Sequence, residues 1–191
     1  MTETTPIVPT RLGFVEQCGP GVDAVTFRSI MGAFPTGVAV VTSFDESGSP
    51  RGLTCSALCS LSIDPPLLLL CVDSRSGSLQ AIRSSNGFVV NFLREGRDSV
   101  SQLFASPSPD KFSRIRWRRS AITGLPWLEE DTIAHADCRL VSDIEAGDHS
   151  ILIGVLVSGS GPTSTAQPLL YWQRQYASWP VSTDPQLHTA P

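Results

Sequence analysis

The sequence predicts a mainly β fold, an antiparallel barrel with a few helices packed outside it. Three observations predict it. In residues 52–66, GLTCSALCSLSIDPP, the odd positions Leu53, Cys55, Ala57, Cys59, Leu61 and Ile63 are apolar, while Thr54, Ser56, Ser60 and Ser62 carry hydroxyls. Successive strand side chains point to opposite faces, so this is β-structure with one core face and one hydroxyl face. Residues 67–72, LLLLCV, are continuously apolar, the pattern of a strand buried on both sides. Strand-like runs outnumber helical ones and their connections are of hairpin length, which favours a closed barrel.

The elements follow in order. Residues 1–22 are polar and broken by Pro and Gly, and form an N-terminal arm, mobile or draped. From Asp23, apolar residues recur at Val25, Phe27, Ile30, Met31 and Phe34, the spacing of a short amphipathic helix that Pro35 stops. Residues 37–44 are a strand rich in β-branched residues, and 45–48 turn into the next one. Pro65-Pro66 breaks the hydroxyl-faced segment. Ser78 can cap a helix over 79–85, closed by Asn86-Gly87. A strand at 88–93 and a helix at 99–105 follow, the helix ended by Ser106-Pro107-Ser108-Pro109. Later strands fall at 133–144, 150–157 and 169–172. The domain spans 23–179, and 180–191 form a loose C-terminal tail.

Composition excludes several functions. A chain of 191 residues with net charge -4 is one domain and not a general binder of nucleic acid or anionic membrane. No apolar run reaches a membrane span, and the N-terminus lacks the basic and apolar regions of a secretory signal. The expectation is therefore a cytoplasmic protein. Five cysteines without framework spacing suit a reducing compartment and act as small buried hydrophobes. They and the three histidines form no metal-ligand spacing, so no metal is expected. The GxGxxG, P-loop and GxSxG motifs are absent.

Four constellations could carry chemistry. In the first, the strand 67–72 leads through SRSG to Ser78, where Ser76, Ser78 and Arg75 could meet a phosphate at a helix start; an ordinary serine cap reads the same way. The second is Gly147-Asp148-His149, which sets His149 at a strand start on one face with Ile151, Ile153 and Val155, either as a satisfied strand-end histidine or as a proton-handling group. The third, the corner Phe34-Pro35-Thr36-Gly37, exposes backbone donors and a hydroxyl, or simply turns the chain. The fourth is the run Arg114-Ile115-Arg116-Trp117-Arg118-Arg119, which could touch phosphates or form a solvated loop.

The segments FRSIMGAFPTGVAVVTS, GLTCSALCSLSIDPP, NGFVVNFL, GDHSILIG and PLLYW stand in the order and spacing of one known family. The chain resembles the flavin reductase-like family, specifically the reductase component of two-component flavin-dependent monooxygenases. The resemblance implies an FMN-binding split β-barrel, Greek-key-like, in a homodimer. It implies NADH- or NADPH-dependent reduction of FMN or FAD, the reduced flavin passing by diffusion to a partner monooxygenase. By position, Thr54, Cys55, Ser56, Ser60, Leu61 and Ser62 would line the isoalloxazine and ribityl side. Thr36 and Gly37 would meet the ring edge, Ser76 and Ser78 the phosphate, and His149 the nicotinamide as the catalytic position. Many relatives carry Asn where this chain has Ser56. Rival readings are a flavin carrier or redox sensor without turnover, and a related barrel handling heme or a deazaflavin.

Overall fold

The computed structural model describes residues 7–11, 19–162 and 165–179. Its strands are β1 (Thr10–Arg11), β2 (Thr36–Gly37), β3 (Ala39–Phe44), β4 (Pro50–Cys55), β5 (Leu58–Ser62), β6 (Leu67–Asp73), β7 (Gly87–Leu93), β8 (Arg118–Arg119), β9 (Pro126–Trp127), β10 (Thr132–Ala146), β11 (His149–Ser160), β12 (Leu169–Trp172) and β13 (Gln175–Ser178). Its α-helices are α1 (Ala24–Gly32), α2 (Gly77–Ser85) and α3 (Asp98–Ala105).

The main sheet runs β4-β3-β7-β10-β11-β6-β5, antiparallel throughout this path, with β1 added in parallel to β10. It curls on itself, but the end strands β4 and β5 are not paired with each other. The barrel is therefore split rather than closed. β3 is buried on both faces, and β7 nearly so. One face meets the interior of Leu68, Leu70, Val72, Phe88, Val90 and Leu152. The other supports Phe104, Leu128 and Leu169 under α3 and β12. No helix among the described residues is long and apolar enough to cross a membrane.

Several expectations hold. The short helix expected from Asp23 onward forms as α1; Asp23 is its N-cap, which the spacing did not show, its carboxylate accepting from the Thr26 N–H at 2.7 Å. Asp45 organises the 45–48 turn by accepting from the Ser47 and Ser49 N–H groups. Asn86 ends α2 in the left-handed conformation, φ 51°. Part of the expected N-terminal arm lies along β10, and Ile7 packs on the core. The rest of the arm falls partly outside the described residues, and the tail 180–191 wholly so.

Others are corrected. Residues 52–66 do not form one alternating strand. The chain breaks at Ser56-Ala57, and a one-residue slip inverts the faces. Leu58 then points inward opposite Leu70, while Cys59, Leu61 and Ile63 are exposed, Ile63 by 95%. Nor is the 67–72 run buried on both sides. Leu68, Leu70 and Val72 are buried, but Leu67, Leu69 and Cys71 are half-covered. The N-cap of α2 is Ser76, which accepts from the Ser78 N–H at 3.3 Å, so Ser78 sits inside the helix. Finally, α1 is amphipathic in sequence yet buries no residue in this chain.

Packing around Gly154 makes one prediction. A Cβ there would lie 2.6 Å from the Phe88 ring and 3.0 Å from Cys138 Cβ. Gly154→Ala should lower stability by about 1–3 kcal/mol, the cost of overpacking. Thermal unfolding measures it, and an unchanged midpoint would mean the core has slack here.

Candidate functional site

The break between β4 and β5 sets three clefts along one side of the barrel. The first, about 670 Å³, lies between the β6–α2 loop and the segment after α3. Thr54, Ser76 and Ser78 line it, with Arg51, Arg75 and Lys111. The second, about 250 Å³, brings together Thr36, Gly37 and Ser56. The third, about 810 Å³, is the open mouth of the barrel, where Ser60 and Ser62 face Ala134, Ala136 and Leu156. Leu58 and Phe92 line both the second and the third, so those two are continuous.

Charge is graded along them. No charged residue lines the second or third cleft. The first holds three cations, two of them already paired. Arg51 bonds Asp45 at 2.7 Å and Arg75 bonds Asp73 at 2.8 Å. Among the described residues, the Lys111 ammonium donates only to carbonyl oxygens, of Phe104 at 2.8 Å and Gly52 at 3.3 Å. Burial pushes its pKa below the usual lysine range. A half-buried cation without a carboxylate is poised for an anion. Sequence reading missed it, although one signal was available: Lys111 is the only lysine in the chain.

Not every expected site residue joins these clefts. Cys55 is core, its Sγ 3.7 Å from the Ala57 oxygen and 3.8 Å from the Cys71 oxygen. Burial pushes its thiol up to about 11, so only its backbone could meet a ligand. Leu61 is 46% exposed and lines none of the three clefts. His149 also lines none of them. It pairs with Asp73 across the sheet, and its Nδ1 lies 2.7 Å from Asp148 Oδ1. The Ser74 N–H donates to the Asp148 oxygen at 3.0 Å. His149 therefore stands beside the Arg75 loop and away from the hydroxyl pair of β5. That imidazole contact holds the Asp148 carboxyl below its ordinary range.

The basic run is largely consumed. Arg116 pairs with Glu130, Arg118 with Glu129, and Arg119 stacks on Phe44. The solvated-loop reading fits these contacts.

Residues 31–180 match the family described as flavin reductase like domain. The chain belongs to this family. A "flavin reductase (NADH)" of Kitasatospora aureofaciens is 47% identical over 93% of the chain and 94% of its own length. The "flavin-dependent monooxygenase, reductase subunit HsaB" of Mycobacterium tuberculosis is 40% identical over 81% of the chain and 82% of its own. Among solved structures, the "NADH:FAD oxidoreductase SgcE6" of Streptomyces globisporus, crystallised with NAD and FAD fragments, superposes with a TM-score of 0.79 at 30% identity. That superposition covers 85% of the chain and 96% of the other. The split barrel is the fold of these flavin reductases.

A flavin fits the residues present. An uncompensated lysine among hydroxyls suits its phosphate end, and an uncharged mouth suits a neutral ring. One hydroxyl, however, is already engaged. The Thr54 side chain donates to the Ser101 oxygen at 2.6 Å. Thr54→Val should therefore lower stability by about 0.5–1.5 kcal/mol and leave flavin affinity within about twofold, a shift of under half a kcal/mol. A flavin titration beside a thermal melt decides. A large loss of affinity at unchanged stability would return Thr54 to the flavin.

Proposed function

We propose that the chain is an NAD(P)H:flavin oxidoreductase supplying reduced flavin to a separate monooxygenase, with residues 23–179 as its single reductase domain. The carrying observation is the charge gradient, from Lys111 and the α2 start to the uncharged barrel mouth. Ser76 and Ser78 meet the phosphate of FMN or FAD, with Lys111 as the added cation. Thr36, Gly37, Ser56, Ser60 and Ser62 hold the ring and ribityl chain by neutral hydrogen bonds, the Cys55 and Leu61 backbone beside them. The chemistry supplied by the bound cofactors is hydride transfer from nicotinamide C4 to flavin N5.

The protein's share is to bind and orient. Asp148 engages His149 through Nδ1, so Nε2 is the ring nitrogen left to meet the carboxamide of NADH or NADPH. The neutral hydroxyls and a single free cation suit a flavin that enters oxidised and leaves reduced. The four described cysteines are free thiols, which suits a cytoplasmic site of action.

We further propose a homodimer. Leu67, Leu69 and Cys71 of β6 and Ile151, Ile153 and Val155 of β11 share one half-covered outer face, over which no helix among the described residues packs closely. Helix α1 adds exposed Val25, Phe27, Ile30 and Met31, and Trp172 and Trp179 are exposed on the same chain. Apolar surface on this scale suits a permanent partner. Light scattering should return twice the 20.5 kDa chain mass. A fully active monomer on dilution would refute the dimer.

The activity is tested with purified protein, NADH or NADPH, and added FMN or FAD. The rate should depend hyperbolically on flavin, at micromolar strength or about −8 kcal/mol. His149→Ala should lower turnover at least tenfold, about 1.4 kcal/mol of transition-state stabilisation, while flavin still binds. Flavin binding without nicotinamide-dependent bleaching would favour a carrier or sensor. A yellow protein that ignores added flavin would mean the cofactor is never released.

A further inference from the structure

A buried ionic cluster lies between α2 and the β10–β11 hairpin, outside all three clefts. The Asp143 side chain is fully buried, and Arg83 Nε donates to its Oδ2 at 2.7 Å. Arg83 Nη2 donates to the Ser150 hydroxyl at 3.1 Å, and Ser150 is itself fully buried. The other carboxylate oxygen, Asp143 Oδ1, accepts no hydrogen bond among the described residues. Such a pair recovers little net stability after desolvation, and breaking it strands a buried charge. Stability alone is a weak reason for its presence.

Its position offers a better reason. Arg83 sits in the last turn of α2, where a cation also suits the helix dipole. The first turn of the same helix carries Ser76 and Ser78. Ser150 is the residue after His149. A second tie lies in the loop that leads into the helix, where the Ser74 N–H bonds the Asp148 oxygen at 3.0 Å, next to the Asp73–His149 pair. The last turn of α2 and the loop before its first turn are thus both fastened to the hairpin that bears His149. One tie would permit pivoting, and two fix the angle between helix and hairpin.

We infer that Arg83, Asp143 and Ser150 are positioning residues, which hold His149 at a fixed place relative to the phosphate-facing end of α2. This rests on the reductase reading, in which Ser76 and Ser78 meet the flavin phosphate and His149 the nicotinamide. Arg83 reaches two acceptors at once through its planar fork. A lysine ammonium on a shorter, flexible stem lacks that fixed fork, so Arg83→Lys is not conservative here.

The test is steady-state kinetics and flavin titration on the full chain, with Ser150→Ala, Arg83→Lys, His149→Ala and the Ser150→Ala/His149→Ala double variant. Ser150→Ala leaves the Arg83–Asp143 pair intact and should fold, which circular dichroism and a thermal melt verify. The expected result is flavin affinity near wild type and kcat/KM for the nicotinamide lowered about tenfold, the cost of a displaced reacting group. Arg83→Lys should fall between wild type and Ser150→Ala. In the double variant, Ser150→Ala should add nothing to His149→Ala. A lowered melting point with wild-type kinetics would overturn the inference and make the cluster structural, and so would fully additive losses. A His149→Ala variant with wild-type turnover would instead overturn the reading of His149 itself, and the inference with it.

Discussion

The two-residue break at Ser56-Ala57 is the constraint on which the rest of the structure depends. Without it, β4 would run on into β5 as one alternating strand. With it, the chain leaves the sheet at Cys55 and rejoins it at Leu58 with its faces exchanged. The Ala57 oxygen accepts from the Cys71 N–H at 2.9 Å, so the break is anchored. β4 and β5 become the two unpaired ends of the sheet, and the barrel opens between them. Thr36, Ser56, Ser60 and Ser62 reach one connected hollow because of that opening.

Electrostatics then divides the opening. Asp45 and Asp73 each neutralise an arginine of the first cleft; the Ser47 hydroxyl and then Arg51 hold the Asp45 carboxyl well below its ordinary range, and Arg75 does the same for Asp73. Lys111 is left without an acidic partner among the described residues, fixed by two backbone oxygens rather than by charge. A carbonyl holds an ammonium in place without cancelling it, so its field remains available to an incoming anion. The barrel mouth contributes hydroxyls, aliphatic carbon, the Phe92 ring, Cys59 and the His135 imidazole, with no Asp, Glu, Lys or Arg. A ligand charged at one end and neutral at the other is thereby oriented before any contact specific to its ring is made.

Much of this was legible in the sequence. The β-branched run of β3, the turn at Asp45 and the Asn86 helix stop rest on local chemistry, and local chemistry is what a sequence displays. The face inversion after Ser56 was not legible, because the apolar odd positions run on through the break without a change of phase, and only Leu58 departs from the pattern. Ser76 was misplaced by two residues as a cap, since Ser76 and Ser78 offer the same hydroxyl. Lys111 carries no motif of its own. Its role depends on Gly52 and Phe104, which only the fold brings to it. Cys55 shared the apolar phase of a site segment, and its burial separates side chain from backbone at that position.

The continuously apolar stretch of β6 was read as a strand covered on both sides, whereas a single chain covers one. Both statements are physically consistent if the second cover comes from outside the chain. Composition records what a strand buries in its working assembly, while a single chain records only its own share. His149 lies on that same outer face of β11, in line with Ile151 and Ile153. In the proposed dimer, the apolar stripe and the histidine therefore face the same neighbour, and the surface that brings two copies together borders the position proposed for the nicotinamide. That links assembly to turnover through one strand face, on which the aliphatic row of β11 runs up to Ile151, the neighbour of His149 on that face.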